Sequence, residues 1–325
     1  MSTTVYALTP DDPRQLEMFR HYLPQDAELV WVDSTQSIEQ QAAQLKDAVA
    51  VIAAPSVFPV DLALACPNLK LVQTVSAGTN MIDLPALDEL GVKVANNGGG
   101  NAVAVSEHTI ALMVSVYRNL KRQFELVKER QWAGDLRAEW MPNAYELTDK
   151  TVGIIGLGRI GQQVARRLQG WDCNLIYHDV VSLPAALERA LNITRVDFDT
   201  LLRTADIITL HVPLNRHTKG MINDRAFDLM KPTTILINAC RGPVVDEAAL
   251  IRALQNKKIL SAGLDVLEQE PTPADNPLLD MDNVFITPHL AALAQESFEK
   301  SRAFAAQNAA RVAAGEAPQS VVDPV

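Results

Sequence analysis

Four side chains that could carry chemistry follow predicted strands late in the chain: Arg241, Asp265, Glu270 and His289. Parallel strands place their carboxyl ends at one edge of a sheet, where ligands bind, so we expect these residues to converge. An arginine can bind the carboxylate and the carbonyl of a 2-keto acid with two donors. A histidine can protonate the carbonyl oxygen, and a bonded glutamate would hold its tautomer and favour its protonated form. The set predicts hydride reduction of a small 2-keto acid.

Each of these residues also has an ordinary structural explanation. His289 follows a proline and could be a turn residue, Glu270 precedes a proline and could be a solvated charge, and Arg241 could cap a strand. Their joint occurrence at successive strand ends favours the chemical interpretation.

A glycine turn in residues 150–179 could bind the cofactor that such a reaction needs. An apolar strand over 151–155 runs into Gly156, Gly158 and Gly161, spaced G-x-G-x-x-G, and a helix, a second strand and Asp179 follow. The glycines permit a tight turn, close approach of a pyrophosphate and close helix–strand packing, while the helix N-terminus attracts phosphates. The segment therefore predicts a dinucleotide site.

The acid at the end of the second strand indicates which dinucleotide binds. Asp179 stands where a carboxylate holds a ribose 2′-hydroxyl, and its charge repels a 2′-phosphate. The next residues, Val180 and Val181, provide no arginine for that phosphate. We therefore expect NAD (NADH) rather than NADP.

The elements that position these residues form two groups, and the predicted fold class is α/β with two parallel-sheet domains and a cleft between them. Strands are expected in the first hundred residues at 5–8, 29–32, 49–53, 71–74 and 92–95. Later strands are expected at 151–155, 174–178, 207–210, 234–238, 261–264 and 284–286. Between the groups lie a glycine-rich hinge candidate (96–101), one long helix (102–128) and an irregular arm (131–146).

An alanine-rich helix over 290–314 follows the last strand, and we expect it to return to the first domain. The predicted domains are therefore residues 1–100 plus 290–325, a small discontinuous substrate domain, and residues 101–289, the NAD-binding domain with an interdomain helix and a dimer arm. The small domain is expected to be flavodoxin-like and the larger one a Rossmann domain.

Composition narrows the possible partners. The chain has 325 residues, 48% hydrophobic, with a net charge of −10, which argues against nucleic acid as a partner. Three widely spaced cysteines suggest neither a disulfide framework nor a metal site. With no signal-peptide pattern and no run of about 18 apolar residues, we expect a cytoplasmic protein that does not enter a membrane.

The motifs occur in the order found in a known family. The glycine turn with Asp179, the Arg-Gly pair at Arg241, LDVLEQEP at 264–271 and TPH at 287–289 resemble the NAD-dependent D-isomer-specific 2-hydroxyacid dehydrogenases, of the glyoxylate/hydroxypyruvate reductase type. The resemblance covers nearly the whole chain. It implies Arg241 as the substrate-orienting residue, Glu270 as the partner of the histidine and His289 as the acid/base.

The resemblance also implies further ligands. Ser76, Ala77 and Gly78 resemble the loop whose backbone N–H groups hold the substrate carboxylate, and Asp265 would meet the nicotinamide amide. The remaining residues expected around the cofactor are Val105, Arg159, Ile160, His211, Val212, Pro213 and Cys240. His108 is interpreted as structural, with a place in the cleft left open.

Two matters of function stay open at this stage. Residues 54–58 contain no arginine, which disfavours the phosphorylated substrate of phosphoglycerate dehydrogenases. An NAD(H)-sensing binding protein of the corepressor type would keep the same residues and is the alternative to an enzyme.

A homodimer is expected, and a tryptophan of the arm, Trp132 or Trp140, could reach the partner's site.

Overall fold

The computed structural model describes residues 3–132 and 135–324. The chain forms two compact units: one runs to Asn101 and resumes at Leu293, and the other is Ala102–Ala292. Their boundary lies three residues beyond the predicted one at 289/290. That one unit binds substrate and the other NAD stays a prediction.

The first unit is built on a five-stranded sheet. Its strands are β1 (Thr3–Thr9), β2 (Ala27–Asp33), β3 (Ala50–Ala53), β4 (Leu71–Thr74) and β5 (Lys93–Ala95). All pairings are parallel and the order is β2-β1-β3-β4-β5, the flavodoxin-like arrangement. β3 and β4 are completely buried, as expected for strands covered on both faces.

Helices of the first unit lie between these strands, and the last one comes from much later in the chain. They are α1 (Pro13–Tyr22), α2 (Ile38–Leu45), α3 (Val60–Leu64), α4 (Leu84–Glu89) and a C-terminal helix (Gln295–Ala313). The C-terminal helix buries Ala305, Ala306 and Ala309 against Val5 and other side chains of the sheet. Their small size lets the helix approach the sheet closely, so the alanine-rich sequence suits this position.

A seven-stranded sheet organises the second unit. Its strands are β6 (Thr151–Ile155), β7 (Asn174–His178), β8 (Ile193–Arg195), β9 (Ile207–Leu210), β10 (Ile235–Asn238), β11 (Ser261–Leu264) and β12 (Val284–Ile286). All neighbours are parallel, in the order β12-β11-β10-β9-β6-β7-β8. The strand order reverses between β6 and β9, as in a dinucleotide-binding Rossmann sheet.

Helices flank this second sheet. They are α5 (Ala102–Tyr117), α6 (Leu120–Lys128), α7 (Leu136–Trp140), α8 (Arg159–Leu168), α9 (Ala185–Ala190), α10 (Phe198–Thr204), α11 (Asp224–Leu229) and α12 (Glu247–Gln255), and the C-terminal helix of the first unit is α13. Short 3₁₀ segments occupy Met141–Asn143, Gln169–Trp171, Gly242–Val244 and Pro277–Asp280. In the part of the chain that the structure describes, no helix is long and apolar enough to cross a membrane.

The long helix predicted over 102–128 is wrong, because the chain breaks it into α5 and α6. Asn119 adopts a left-handed conformation (φ 45°) and caps α6 by accepting a hydrogen bond from the Arg122 N–H. Asparagine tolerates this conformation better than most residues, and its side chain replaces a lost backbone partner. The apolar pattern continues across the break, which is why the pattern alone does not reveal it.

Candidate active site

The glycine turn between β6 and α8 has the shape that a dinucleotide needs. Gly156 has a φ of +90°, and a Cβ there would lie 2.7 Å from the His211 carbonyl carbon. A Cβ on Gly161 would lie 2.2 Å from the Gly156 carbonyl oxygen, whereas one on Gly158 would meet no atom within 4 Å. Gly156 and Gly161 therefore permit close packing of the backbone. Gly158 leaves open space before the helix N-terminus, where a pyrophosphate fits.

Residues just inside α8 differ in exposure. Arg159 begins the helix and is exposed, whereas Ile160 is partly buried and packs against Val105, Ala239 and Ala291. This small cluster joins the glycine turn to the start of α5, the end of β10 and the segment after β12. Two predicted cofactor residues, Val105 and Ile160, therefore meet in one region of the second unit.

Asp179, directly after β7, is held by the backbone around it. One carboxylate oxygen accepts the Leu157 N–H at 2.7 Å and the other accepts the Val181 N–H at 2.9 Å. The carboxylate is therefore fixed against the glycine turn, which fits a ligand for the adjoining ribose.

His211 follows β9 and lies against the glycine turn. Its Nε2 lies 3.0 Å from Thr209 Oγ1, while its buried Nδ1 has no hydrogen-bond partner among the residues described. Burial lowers the pKa of His211 to about 3, so its imidazole is neutral at physiological pH. Val212 contacts the same turn, because a Cβ on Gly156 would lie 2.9 Å from its Cγ1. The Pro213 carbonyl accepts a hydrogen bond from Thr218.

Cys240 is buried beside β10 and is not a reactive thiol. Its Sγ lies 3.1 Å from Asn238 Oδ1, and burial raises the pKa of Cys240 to about 11. The neutral thiol is a poor nucleophile, so Cys240 serves here as a small buried side chain.

Arg241 begins a turn that depends on the glycine after it. The Asn238 side-chain amide donates to the Arg241 carbonyl at 3.0 Å, and the Arg241 guanidinium donates to the Cys240 carbonyl at 2.5 Å. A Cβ on Gly242 would lie 1.8 Å from the Leu267 carbonyl oxygen. The Arg-Gly pair therefore packs directly on the backbone that leads to Glu270.

His289 and Glu270 form a close pair. The Nδ1 atom of His289 lies 2.6 Å from one carboxylate oxygen of Glu270, and the other oxygen accepts the Leu267 N–H at 3.0 Å. Both side chains keep access to solvent, with 48% and 38% of their surfaces exposed. Because Glu270 fixes Nδ1, Nε2 is the ring nitrogen left for a reacting group.

Asp265 is buried and organises the segment that carries His289. Its carboxylate accepts the Thr287 hydroxyl at 2.6 Å, the Leu290 N–H at 3.0 Å and the Ala291 N–H at 2.8 Å. The His289 N–H donates to the Asp265 carbonyl at 2.8 Å. These bonds hold His289 at a φ of 55°, a conformation unfavourable for a side chain with a Cβ.

His108 of α5 joins this arrangement, a link that sequence reasoning missed. Its Nε2 lies 2.9 Å from Thr287 Oγ1 and 3.6 Å from a carboxylate oxygen of Asp265. The residue was interpreted as structural, and its contacts show that it supports the segment next to the candidate acid/base. No sequence signal points to this link, because His108 and Thr287 lie 179 positions apart.

In the first unit, the predicted substrate loop follows β4. The Ser76 hydroxyl lies 2.8 Å from the Ser56 hydroxyl and bonds to the Gly78 carbonyl at 2.6 Å. The Ser76 carbonyl accepts the Asn97 N–H. The loop, with Ala77 at its centre, is thus fixed at the carboxyl end of the sheet, and its role toward a substrate stays a prediction.

Comparison with known proteins identifies the chain. The family model described as "D-isomer specific 2-hydroxyacid dehydrogenase, NAD binding domain" matches residues 110–291. The chain belongs to this family. Its fold and its Rossmann sheet are those of the D-2-hydroxyacid dehydrogenases, the chain is an NAD-dependent oxidoreductase of that class, and its cofactor is NAD(H).

Relatives carry different names within the family. A D-3-phosphoglycerate dehydrogenase of Archaeoglobus fulgidus is 42% identical over 72% of this chain, and the match spans 43% of that protein. A glyoxylate/hydroxypyruvate reductase B of Citrobacter koseri is 33% identical over 99% of this chain and 98% of its own length. The solved D-mandelate dehydrogenase of Rhodotorula graminis superposes with a TM-score of 0.87 at 28% identity, covering 98% of this chain and 97% of that one.

Proposed function

We propose that this dehydrogenase reduces a small 2-keto acid of the glyoxylate, hydroxypyruvate or pyruvate type to the D-2-hydroxy acid, reversibly and with NADH. The observation that carries the proposal is the 2.6 Å pair of His289 and Glu270, packed beside the Arg241–Gly242 turn. The near full-length likeness to a glyoxylate/hydroxypyruvate reductase supports the size of the substrate.

Each residue has a distinct task in this reaction. NADH, when bound at the glycine turn, supplies the hydride for the keto carbon. Arg241 binds the substrate carboxylate and carbonyl, which orients the carbon for attack. Protonated His289 donates from Nε2 to the carbonyl oxygen, and Glu270 stabilises the charged imidazole before transfer. In the reverse direction, the neutral imidazole accepts the hydroxyl proton.

Asp265 and His108 both contact the segment that carries His289, and His108 does so at the Thr287 hydroxyl. Because Asp265 accepts the Thr287 hydroxyl before His289 and the N–H groups of Leu290 and Ala291 after it, it holds the segment on both sides of His289. We assign Asp265 as a positioning residue, in addition to its predicted contact with the nicotinamide amide. Ser76, Ala77 and Gly78 remain the predicted carboxylate ligands of the first unit.

The test is steady-state oxidation of NADH with glyoxylate, hydroxypyruvate, pyruvate, phenylpyruvate and 3-phosphohydroxypyruvate. We expect the highest kcat/KM for one of the first three. A preference for the phosphorylated acid would instead assign the activity named for the A. fulgidus relative. Tight NADH binding without turnover of any acid would contradict the proposal and favour the NAD(H)-sensing alternative.

A further inference from the structure

Arg195 lies beside the turn that carries Asp179. It is the last residue of β8 and pairs in register with Tyr177 of β7. Its guanidinium donates to the backbone carbonyl of Asp179 at 2.8 Å and to the Ser182 hydroxyl. An arginine sixteen positions later in the chain therefore covers the turn after β7.

Neither hydrogen-bond acceptor of this arginine carries a charge. One is a backbone carbonyl and the other a hydroxyl, and within residues 3–132 and 135–324 no carboxylate forms an ion pair with Arg195. The side chain is exposed. A guanidinium with neutral partners and access to solvent keeps donors for an anion, and a phosphate is the group that its planar fork fits best.

The position of this charge matters because of what Asp179 is expected to bind. An acid at the end of the second Rossmann strand holds the ribose 2′-hydroxyl, so a phosphate on that oxygen would lie next to the same turn. Val180 and Val181 are exposed but apolar and cannot hold it. Arg195 and Ser182 are the polar partners that the structure adds there, and neither follows from the motif.

We propose that Asp179 and Arg195 form a cofactor-specificity pair. The Asp179 carboxylate excludes a 2′-phosphorylated dinucleotide, whereas Arg195, with the Ser182 hydroxyl, binds that phosphate once the carboxylate charge is removed. The inference rests on the proposed contact of Asp179 with the ribose. It means that one substitution, without an added arginine, converts the site to accept a 2′-phosphate.

The experiment measures binding of 2′,5′-ADP and 5′-AMP, which differ only in the 2′-phosphate, by isothermal titration calorimetry on the whole chain. The variants are Asp179→Asn alone and combined with Arg195→Ala or Arg195→Lys. Asparagine is chosen because its amide oxygen can still accept the Leu157 N–H. The matched control is Arg225→Ala in the Asp179→Asn background, since Arg225 is an exposed arginine paired with Asp199 on another part of the unit.

Asp179→Asn should bind 2′,5′-ADP more tightly than 5′-AMP, reversing the order in the unmodified chain. Adding Arg195→Ala should weaken the affinity for 2′,5′-ADP about tenfold to a hundredfold, as expected for lost charged hydrogen bonds. The affinity for 5′-AMP should change by less than about threefold. Arg195→Lys should give an intermediate loss, because lysine keeps the charge and lacks the fork.

Equal losses for both nucleotides, or a loss no larger than that of the Arg225→Ala control, would overturn the role of Arg195. If Asp179→Asn changed the affinity for neither nucleotide, the role of Asp179 in excluding the 2′-phosphate would be overturned. Because no turnover is measured, these results do not depend on which keto acid the enzyme reduces.

Discussion

At the scale of single residues, two histidines of the second unit lie in different environments. His289 is half exposed and bonded to a carboxylate, whereas His211 lies against the glycine turn with a buried, unpartnered Nδ1. The first ring has a carboxylate partner, whereas burial lowers the pKa of the second and keeps that ring neutral. The proposed acid/base and the predicted cofactor residue are thus distinguished by burial and by hydrogen-bond partner.

Replacing His289 by alanine should lower kcat about a hundredfold to ten-thousandfold, the usual contribution of a general acid, while NADH affinity changes little. Glu270→Gln keeps the size and loses the charge, so it should lower kcat as well, because the imidazole loses its charged hydrogen-bond partner. Steady-state kinetics and NADH fluorescence titration measure the two effects. Loss of NADH binding in His289→Ala would contradict the acid/base assignment.

His211 should make the fold sensitive to acid. Burial lowers its pKa to about 3 in the folded state from an ordinary 6.5, so between these values protons bind the unfolded chain in preference to the folded one. Stability is therefore lost as pH falls below 6.5, by about 3 kcal/mol at pH 4.5 from this residue. His211→Asn should reduce the loss between pH 7 and 4.5 in denaturant titrations. An equal loss in both proteins would exclude His211 as its source.

At the scale of elements, short turns at strand ends carry the residues of the candidate site. The glycines in these turns have different structural roles. Gly242 allows the Arg241 turn to touch the Leu267 backbone, whereas Gly158 faces open space before α8. The same residue type therefore serves packing in one turn and ligand access in another.

Gly242→Ala should destabilise the protein by about 3 kcal/mol or more, because its Cβ would overlap a backbone oxygen that cannot move independently. Gly158→Ala should leave stability within about 0.5 kcal/mol and weaken NADH binding instead. Gly170→Ala, also in open space but away from the turn, is the control for both measurements. A stable Gly242→Ala with normal kcat would refute the packing argument.

Elements with a strong local signal are the ones that the sequence predicts. β6 and β9 match the expected bounds because each is a largely apolar run with buried side chains. β8 was missed, since it is a three-residue edge strand with one buried side chain. The bond of His108 to Thr287 joins residues 179 positions apart, and no periodicity or spacing rule connects positions so distant.

At the scale of the whole molecule, α6 and the start of the arm carry large apolar side chains that are exposed in the single chain. Phe124, Val127 and Trp132 are 66%, 59% and 90% exposed. Exposed apolar side chains at neighbouring positions often mark association surfaces. They support the predicted homodimer, which stays a prediction, as does any contact of an arm tryptophan with the partner's site.

A Phe124→Ser/Trp132→Ser variant should therefore shift the molar mass measured by light scattering from dimer toward monomer. Met81→Ser removes a comparably exposed side chain, 73% accessible, in the other unit and serves as the control. A dimer of unchanged stability on dilution in the double variant would exclude this surface.

The discontinuity of the first unit has a consequence for how the protein is made. Strands β1–β5 emerge from the ribosome first, but α13, which covers Val5 and its neighbours, is synthesised only after the whole of Ala102–Ala292. The second unit is continuous and can complete its contacts while the first still exposes one face of its sheet. The first unit therefore completes its core only after the second unit has been synthesised, although the N-terminal part of a chain usually folds first.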